Sequence, residues 1–384
     1  MFEAKKFLIV ILVAAVVGVP FVFREKNSSV IPVHGVETLV VITPHNESLR
    51  REYGAGFKKW YKAKTGKEVN VDWRYHGGGR DVARYVESVY ANNFRLHWTE
   101  NLHREWNSSA AAAFSARSEK MLDGDSLVAE VSREFFKSNV GCGIDIMFGA
   151  GLVESEIQAS KGNLVPCGLL QERPDLFTDD TIPETFAGSR LWDRVGRWFG
   201  SALSSFGIIY NSEAILEDGI TFFPRTWDDL GRQEFFGKLA IVDPTKSSSV
   251  LKAFDMLTQQ KMQECFRGVT CGTDADDSQA KAHEEAAIGQ GWLEALKLMQ
   301  RIIANGRYFT DSATRPVVDV SAGNCLAGIA VDFYGFSEAQ HLEDRGGSKR
   351  FRFCMPIGGG APSPDPIGFF RGSQSPQLAK DFIE

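Results

Sequence analysis

Four short stretches of this chain gather hydroxyl, amide, imidazole and glycine residues where an extended run gives way to a helical one. They are Thr43-Pro-His-Asn-Glu47, Gly77-Gly-Gly-Arg80, Phe148-Gly-Ala-Gly151 and Thr245-Lys-Ser-Ser-Ser249. The first turn of a helix leaves backbone N–H groups without intrahelical partners, and the helix dipole adds positive potential there. Turns of this kind hold small polar or anionic ligands through N–H groups and hydroxyls. Each turn alone is also what helix capping and loop closure produce, so the case for a ligand rests on the four together. Catalytic signatures fail one by one. The sequence has no Gly-x-Ser-x-Gly elbow, and His283-Glu284 lacks the second histidine of His-Glu-x-x-His. Lys246-Ser247 lacks the glycines of a phosphate-binding P-loop, and Gly77-Gly-Gly79 is not Gly-x-Gly-x-x-Gly. Seven scattered histidines form no paired metal-ligand spacing. The expectation is no catalytic residue, no metal and no cofactor.

The elements that must position these turns alternate strand and helix. Thr38–Ile42 and Glu68–Tyr75 read as strands, each feeding a helix. In the first helix Leu49, Tyr53, Phe57, Trp60 and Tyr61 share a face, with Asn46 as N-cap and Gly66 as the stop. The second places Val82, Tyr85, Val86, Val89 and Tyr90 on one side. Residues 91–139 read as a polar helical elaboration. Ile144–Phe148 is the next strand and Leu164-Val165 another. Ser204–Asn211 reads as a buried strand, Thr226 caps a short helix, and Lys238–Val242 is a strand feeding a helix that buries Val250, Leu251, Phe254 and Leu257. Residues 261–290 look acidic and loop-like, Trp292–Ile303 helical, and Cys325–Phe333 a strand. The tail reads strand, strand, helix over Phe351–Ile357, Pro366–Phe370 and Pro376–Glu384. That last helix stops without a cap, which suggests that the chain continues.

A length of 384 residues allows two domains, and a net charge of −6 supplies no basic excess for nucleic acid. Phe7–Phe23 is an uninterrupted apolar run after Lys5 and Lys6. It is a signal peptide or an uncleaved membrane anchor, and the lack of a clear Ala-x-Ala site before Arg24 leans toward the anchor. Either one exports the rest of the chain, beyond a linker over 24–36. In an exported chain the six cysteines are compatible with disulfides, Cys265–Cys271 being the pair expected first; reduced, buried cysteines are the alternative.

The ordered series Ile42-Thr-Pro-His-Asn-Glu47, Asp145-Ile-Met-Phe-Gly149, Gly207-Ile-Ile-Tyr-Asn211, Thr226-Trp-Asp-Asp-Leu230, Lys238-Leu-Ala-Ile-Val-Asp-Pro244 and Gly328-Ile-Ala-Val-Asp-Phe-Tyr-Gly335 carries a specific resemblance. Together with the helix Pro376–Ile383 it resembles the extracellular solute-binding proteins of ABC importers, in the group of ferric-ion, polyamine, thiamine and phosphonate or sugar-phosphate receptors. The resemblance spans residues 37–384. It implies an α/β, two-lobed periplasmic-binding-protein-like fold of type II, with hinge crossover strands and an N-terminal hydrophobic helix. Residues 1–23 would be the signal peptide or anchor, 37–203 with 336–384 the first lobe, truncated at its end, and 204–335 the second. Gly207–Tyr210 and Ala330–Phe333 would be the crossings.

By position, the resemblance implies ligand contacts from Thr43, His45, Asn46, Tyr75, Gly78, Gly149 and Gly151. The other lobe would add Lys246, Ser247 and Ser248, with Asp332 and Tyr334 at the returning hinge. Tyr210 and Tyr334 would reach across the cleft or pack in the core. The implied protein is a monomer on the periplasmic or extracellular face that hands a small solute to an ABC permease and is not an enzyme. The absence of any adjacent Tyr-Tyr pair disfavours ferric ion, and the Ser, Thr and Gly-rich helix starts favour a phosphate- or phosphonate-bearing solute over a polyamine. The alternatives are an extracytoplasmic hydrolase using His45 or Ser247, and a sensor on the same scaffold.

Overall fold

The computed structural model describes residues 36–267, 277–346 and 349–384. Strand Glu37–Ile42 (β1) buries Leu39 and Val41 on one face and Ile42 on the other, the period of two that lets helices cover both sides of a sheet. Helix Glu47–Thr65 (α1) starts where Asn46 accepts the Leu49 N–H at 3.0 Å and stops at Gly66, whose φ of 74° suits glycine. It lays Phe57 and Tyr61 against Leu39 and Val41. Strand Val69–Arg74 (β2) leads to helix Gly79–Leu96 (α2), which packs Val82, Val86, Tyr90 and Phe94 on the opposite face. Helices Ser108–Ser115 (α3) and Leu127–Lys137 (α4) thicken that layer before strand Ile146–Phe148 (β3) and helix Leu152–Ser160 (α5).

Strand Trp198–Ser204 (β4) still belongs to the first sheet, and Phe206–Asn211 (β5), one residue later, to the second. Strand Leu239–Val242 (β6) feeds the long helices Ser248–Arg267 (α6) and Asp277–Ala304 (α7). Then come Gly306–Thr310 (β7), Arg315–Ser321 (α8), Ala327–Val331 (β8), Asp332–Asp344 (α9) and Phe351–Cys354 (β9). Strand Ser363–Phe369 (β10) and helix Pro376–Ile383 (α10) complete the chain. The sheet orders are β2-β1-β3-β10-β4 and β9-β5-β8-β6-β7. In each, one strand runs antiparallel to the other four, β10 in the first sheet and β5 in the second. Ile208, Leu239, Ile241 and Ile329 face α6 and α7, while Ile209, Ala240 and Ala330 face α8 and α9.

Four expectations change. Residues 261–267 and 277–290 are helical rather than loop, in α6 and α7. Polar side chains there make i,i+3 and i,i+4 contacts along the helices: Lys261 pairs with Glu264 at 2.9 Å and the Gln290 amide donates to Glu294 at 3.0 Å. Gly291 lets the two helices touch: a Cβ there would lie 2.4 Å from Met262 Cα. Leu164 makes only an isolated bridge to Phe370. Strand β4 was not anticipated.

The fourth change concerns the second crossing. Ala330–Phe333 does not cross; it ends β8 and starts α9, and β9 pairs with β5. Sheet pairing therefore puts the return between Cys354 and Ser363, beyond residue 336. Among the described residues Cys142, Cys167, Cys265, Cys325 and Cys354 form no disulfide with one another, and the expected Cys265–Cys271 bond involves a residue outside those described.

Candidate functional site

The carboxyl ends of β1, β2 and β3 face those of β6, β7 and β8 across a cleft holding a cavity of about 180 Å³. The ends of parallel strands in an open sheet are where chain reversals leave room for a ligand. At the end of β1 Thr43 is fully buried, its backbone N–H bonded to Arg74 O at 3.0 Å. Its hydroxyl meets His45 Nδ1 at 2.8 Å and accepts the His45 backbone N–H at 3.1 Å. His45 Nε2 lies 2.8 Å from Asp365 Oδ2 on β10. The ring also stands edge-on to Phe148, with centroids 4.6 Å apart. Both ring nitrogens are thus engaged, and the imidazole is fixed as part of the cleft wall. Thr43 is too deep to act as a nucleophile; the Thr43–His45–Asp365 chain orients groups. Gly149 makes room for the ring: at φ 87°, a Cβ there would fall 2.8 Å from His45 Cε1.

Arg50 enters the same cleft one turn into α1. Its guanidinium lies 5.4 Å from the Tyr75 ring centroid, and its Nε reaches Asn46 O at 3.4 Å. Among the described residues it has no carboxylate partner, unlike Lys252, whose ammonium is 2.7 Å from Asp255. Gly149, Ala150 and Gly151 all have positive φ, at 87°, 69° and 82°, and Gly151 opens α5 toward the cavity. For Ala150 this conformation costs on the order of 1 kcal/mol. Behind this wall, Glu154 on α5 is buried 3.5 Å from Arg80. Burial pushes its carboxyl up, and the Arg80 charge opposes the shift without cancelling it.

The opposite wall comes from the second sheet. Ser247 is buried at the start of α6, its hydroxyl 3.5 Å from the Val250 N–H. Tyr334, in the first turn of α9, lines the cleft. Burial drives its hydroxyl pKa upward, the Asp365 charge adds to this, and the Asn46 backbone opposes it. Asp332 works beside the cavity rather than in it. Its carboxylate accepts the Ser205 N–H at 2.9 Å and the Phe333 N–H at 2.7 Å, while its own N–H bonds to Ser205 O at 2.9 Å. Ser205 is the single residue between β4 and β5, so Asp332 grips the chain where it passes from one sheet to the other. Burial raises this carboxyl too, with the Ser205 and Phe333 N–H groups opposing.

Residues 145–384 match the family model of the bacterial extracellular solute-binding proteins. The chain belongs to this family. Its α/β architecture is the two-lobed periplasmic-binding-protein fold. It is similar to the periplasmic binding protein AfuA from Actinobacillus pleuropneumoniae, solved with fructose-6-phosphate bound, at a TM-score of 0.56 and 14% identity over 90% of this chain and 78% of that one. It is also similar to the apo ferric ion-binding protein A of Pasteurella haemolytica, at a TM-score of 0.50 and 12% identity over 91% and 78% of the respective chains. At such identities the likeness is one of fold. No curated protein sequence matches the chain.

In this solute-binding protein, seven of the residues singled out from sequence line the cavity: His45, Asn46, Tyr75, Gly78, Gly151, Ser247 and Tyr334. Thr43, Gly149 and Asp332 stand directly behind the lining and act on it through His45 and the hinge. Lys246 has an exposed side chain outside the lining, and Tyr210 stacks on Phe223 with centroids 5.5 Å apart, away from the cavity. Ser248 is the first residue of α6. Sequence reasoning missed Arg50, Ser204, Phe206, Asp311, Phe333 and Asp365. Arg50 had a readable signal, being four residues after the cap Asn46 and so on its face of the helix. Asp365 had none, because Pro364 and Pro366 beside it argue against a central strand. Among the described residues no group of three or more metal-ligating side chains could hold an ion, and no helix is long and apolar enough to cross a membrane. The Phe7–Phe23 run lies outside those residues.

Proposed function

We propose that this solute-binding protein captures a small solute bearing a phosphate or phosphonate group between its lobes and delivers it to an ABC permease. It works as a non-catalytic receptor on the periplasmic or extracellular face, sent there by Phe7–Phe23 as a signal peptide or an uncleaved anchor. The observation that carries the reading is Arg50, a half-buried guanidinium lining the cleft with no carboxylate partner among the described residues. Such a group offers paired N–H donors that match an oxyanion. The starts of α1, α2, α5 and α6 converge on the same cavity and add N–H groups and positive potential. AfuA, with its bound sugar phosphate, is a fold relative consistent with that chemistry.

Asp311 and Asp365 also line the cleft, and they suit a solute whose remaining groups are hydroxyls or an amine. A thermal-shift and calorimetry panel tests the reading. Fructose 6-phosphate or 2-aminoethylphosphonate stabilises the protein and binds; stabilisation by spermidine or ferric citrate alone overturns it.

A further inference from the structure

We propose that Gly78 is the seat on which the two lobes close, and that its missing side chain sets how closely they meet. This rests on the two-lobed capture reading above. The three glycines 77–79 look from sequence like a ligand cradle, yet they differ in what restrains them. Gly77 has φ 90°, which favours glycine by conformation alone. Gly78 has φ −72° and ψ 172°, extended backbone that any residue adopts, so nothing in its own lobe demands glycine. Its N–H is already directed to Asp81 Oδ2 at 3.3 Å and is not free for a ligand.

What excludes a side chain is the other lobe. A Cβ at residue 78 would lie 2.6 Å from the Lys246 carbonyl oxygen and 3.4 Å from that of Asp311. Those two carbonyls come after β6 and β7 of the second sheet, and neither is a flexible side-chain end. Lys246 N–H bonds to Asp243 O at 3.0 Å, the Asp243 side chain takes the Thr245 N–H at 2.8 Å, and Asp243 N–H reaches Thr310 O at 2.8 Å. The carbonyl shelf is therefore braced within its own lobe. An added methyl has to be met by the lobes standing several tenths of an ångström further apart. Contacts that need both walls, such as Arg50 with Ser247 on one solute, lengthen together, and a misplacement of roughly 1 Å in a fitted site costs up to ~100-fold.

The test compares wild type, Gly78→Ala, Gly78→Val and a control, Gly56→Ala, whose Cβ meets nothing within 4 Å. Spin labels on unnatural amino acids at the exposed Lys59 and Lys297 report the distance between lobes by double electron–electron resonance, with and without fructose 6-phosphate. The expected result is a short-distance population in wild type and control that Gly78→Val loses. Gly78→Ala should weaken fructose 6-phosphate binding about tenfold, with ligand-free melting temperature unchanged. Equal short-distance populations in all four proteins overturn the proposal, as does a wild type that binds fructose 6-phosphate without ever showing one. If wild type closes, Gly78→Val does not, and no phosphate compound binds, the seat stands and the anion reading falls.

Discussion

Replacing Arg50 by glutamine removes the charge and most of the donor fork while keeping a polar side chain on the same face of α1. The structure sets the size of the effect. Among the described residues only Nε has a protein acceptor, Asn46 O at a weak 3.4 Å, which leaves both terminal nitrogens for a solute oxyanion. Lys252, which also lines the cleft, is already paired with Asp255 at 2.7 Å. A charge-assisted hydrogen bond nets about 1.5–3 kcal/mol, and each ~1.4 kcal/mol is tenfold in affinity. Arg50→Gln should therefore weaken fructose 6-phosphate or 2-aminoethylphosphonate by about ten- to a hundredfold. Arg50→Lys should fall between, since it keeps charge but loses the planar fork. Calorimetric titration at low and moderate salt measures both, and the melting temperature checks that folding is intact. Affinity for every phosphate compound unchanged within about twofold, with the fold intact, would refute the assignment of Arg50 as the anion receptor.

Three further perturbations probe the scaffold. Asp145 is buried and accepts Val40 N–H at 2.9 Å, Ser373 Oγ–H at 2.6 Å, Gln374 N–H at 3.0 Å and Ser375 N–H at 3.1 Å. Asp145→Ala strands these donors and should lower unfolding free energy by roughly 3–6 kcal/mol, and a loss below about 1 kcal/mol by denaturant titration would contradict that. Gly149→Ala combines a positive φ with a clash against His45 and should destabilise by about 1–2 kcal/mol while weakening solute binding; intact affinity would show that His45 is not held by this contact. Glu154 has its carboxyl raised by burial, so the folded protein retains its proton at a pH where the unfolded chain has lost it. Its contribution to stability is full below the ordinary value of 4.5 and is lost as pH rises through the folded-state value. The stability difference, wild type minus Glu154→Gln, should fall as pH rises above 4.5; a difference that grows would reverse the sign of the argument.

Local signals in the sequence made the first lobe legible. Asn46 and Gly66 bracket α1, the two faces of β1 alternate, and the turns after β1, β2 and β3 are glycine- and hydroxyl-rich, so element, polarity and site coincide. What escaped was set by contacts distant in sequence. The position of Asp365 between two prolines becomes a cleft position only because β10 slots between β3 and β4 in the sheet. Tyr210 looked like a clamp residue because an aromatic at a crossover strand suits either role, and only packing on Phe223 decides between them. The helical run through 261–267 and 277–290 was obscured because its acidic, polar composition reads as loop until the packing of one long helix on the other, close at Gly291, is known.

The two ways the lobes meet have different consequences for capture. At the hinge, Asp332 binds Ser205 through both its carboxylate and its N–H, so the second lobe carries its own grip on the crossing strand. Both partners lie where the chain passes between the sheets, so the proposed closure does not require this contact to break. At the far side, Gly78 stands against the Lys246 carbonyl and Tyr334 beside the Asn46 backbone, contacts that the proposed closure would make and opening would break. Neither supplies an ion pair or a large apolar surface, so closure without solute gains little. On the proposed reading, a solute bridging Arg50 on one wall and Ser247 on the other would add the missing free energy, and only to the closed state. Measured affinity then falls with anything that disfavours closure, even where every direct contact remains. Substitutions at the seam should accordingly lower affinity for all solutes by a common factor, whereas substitutions at Arg50 should discriminate among them by charge.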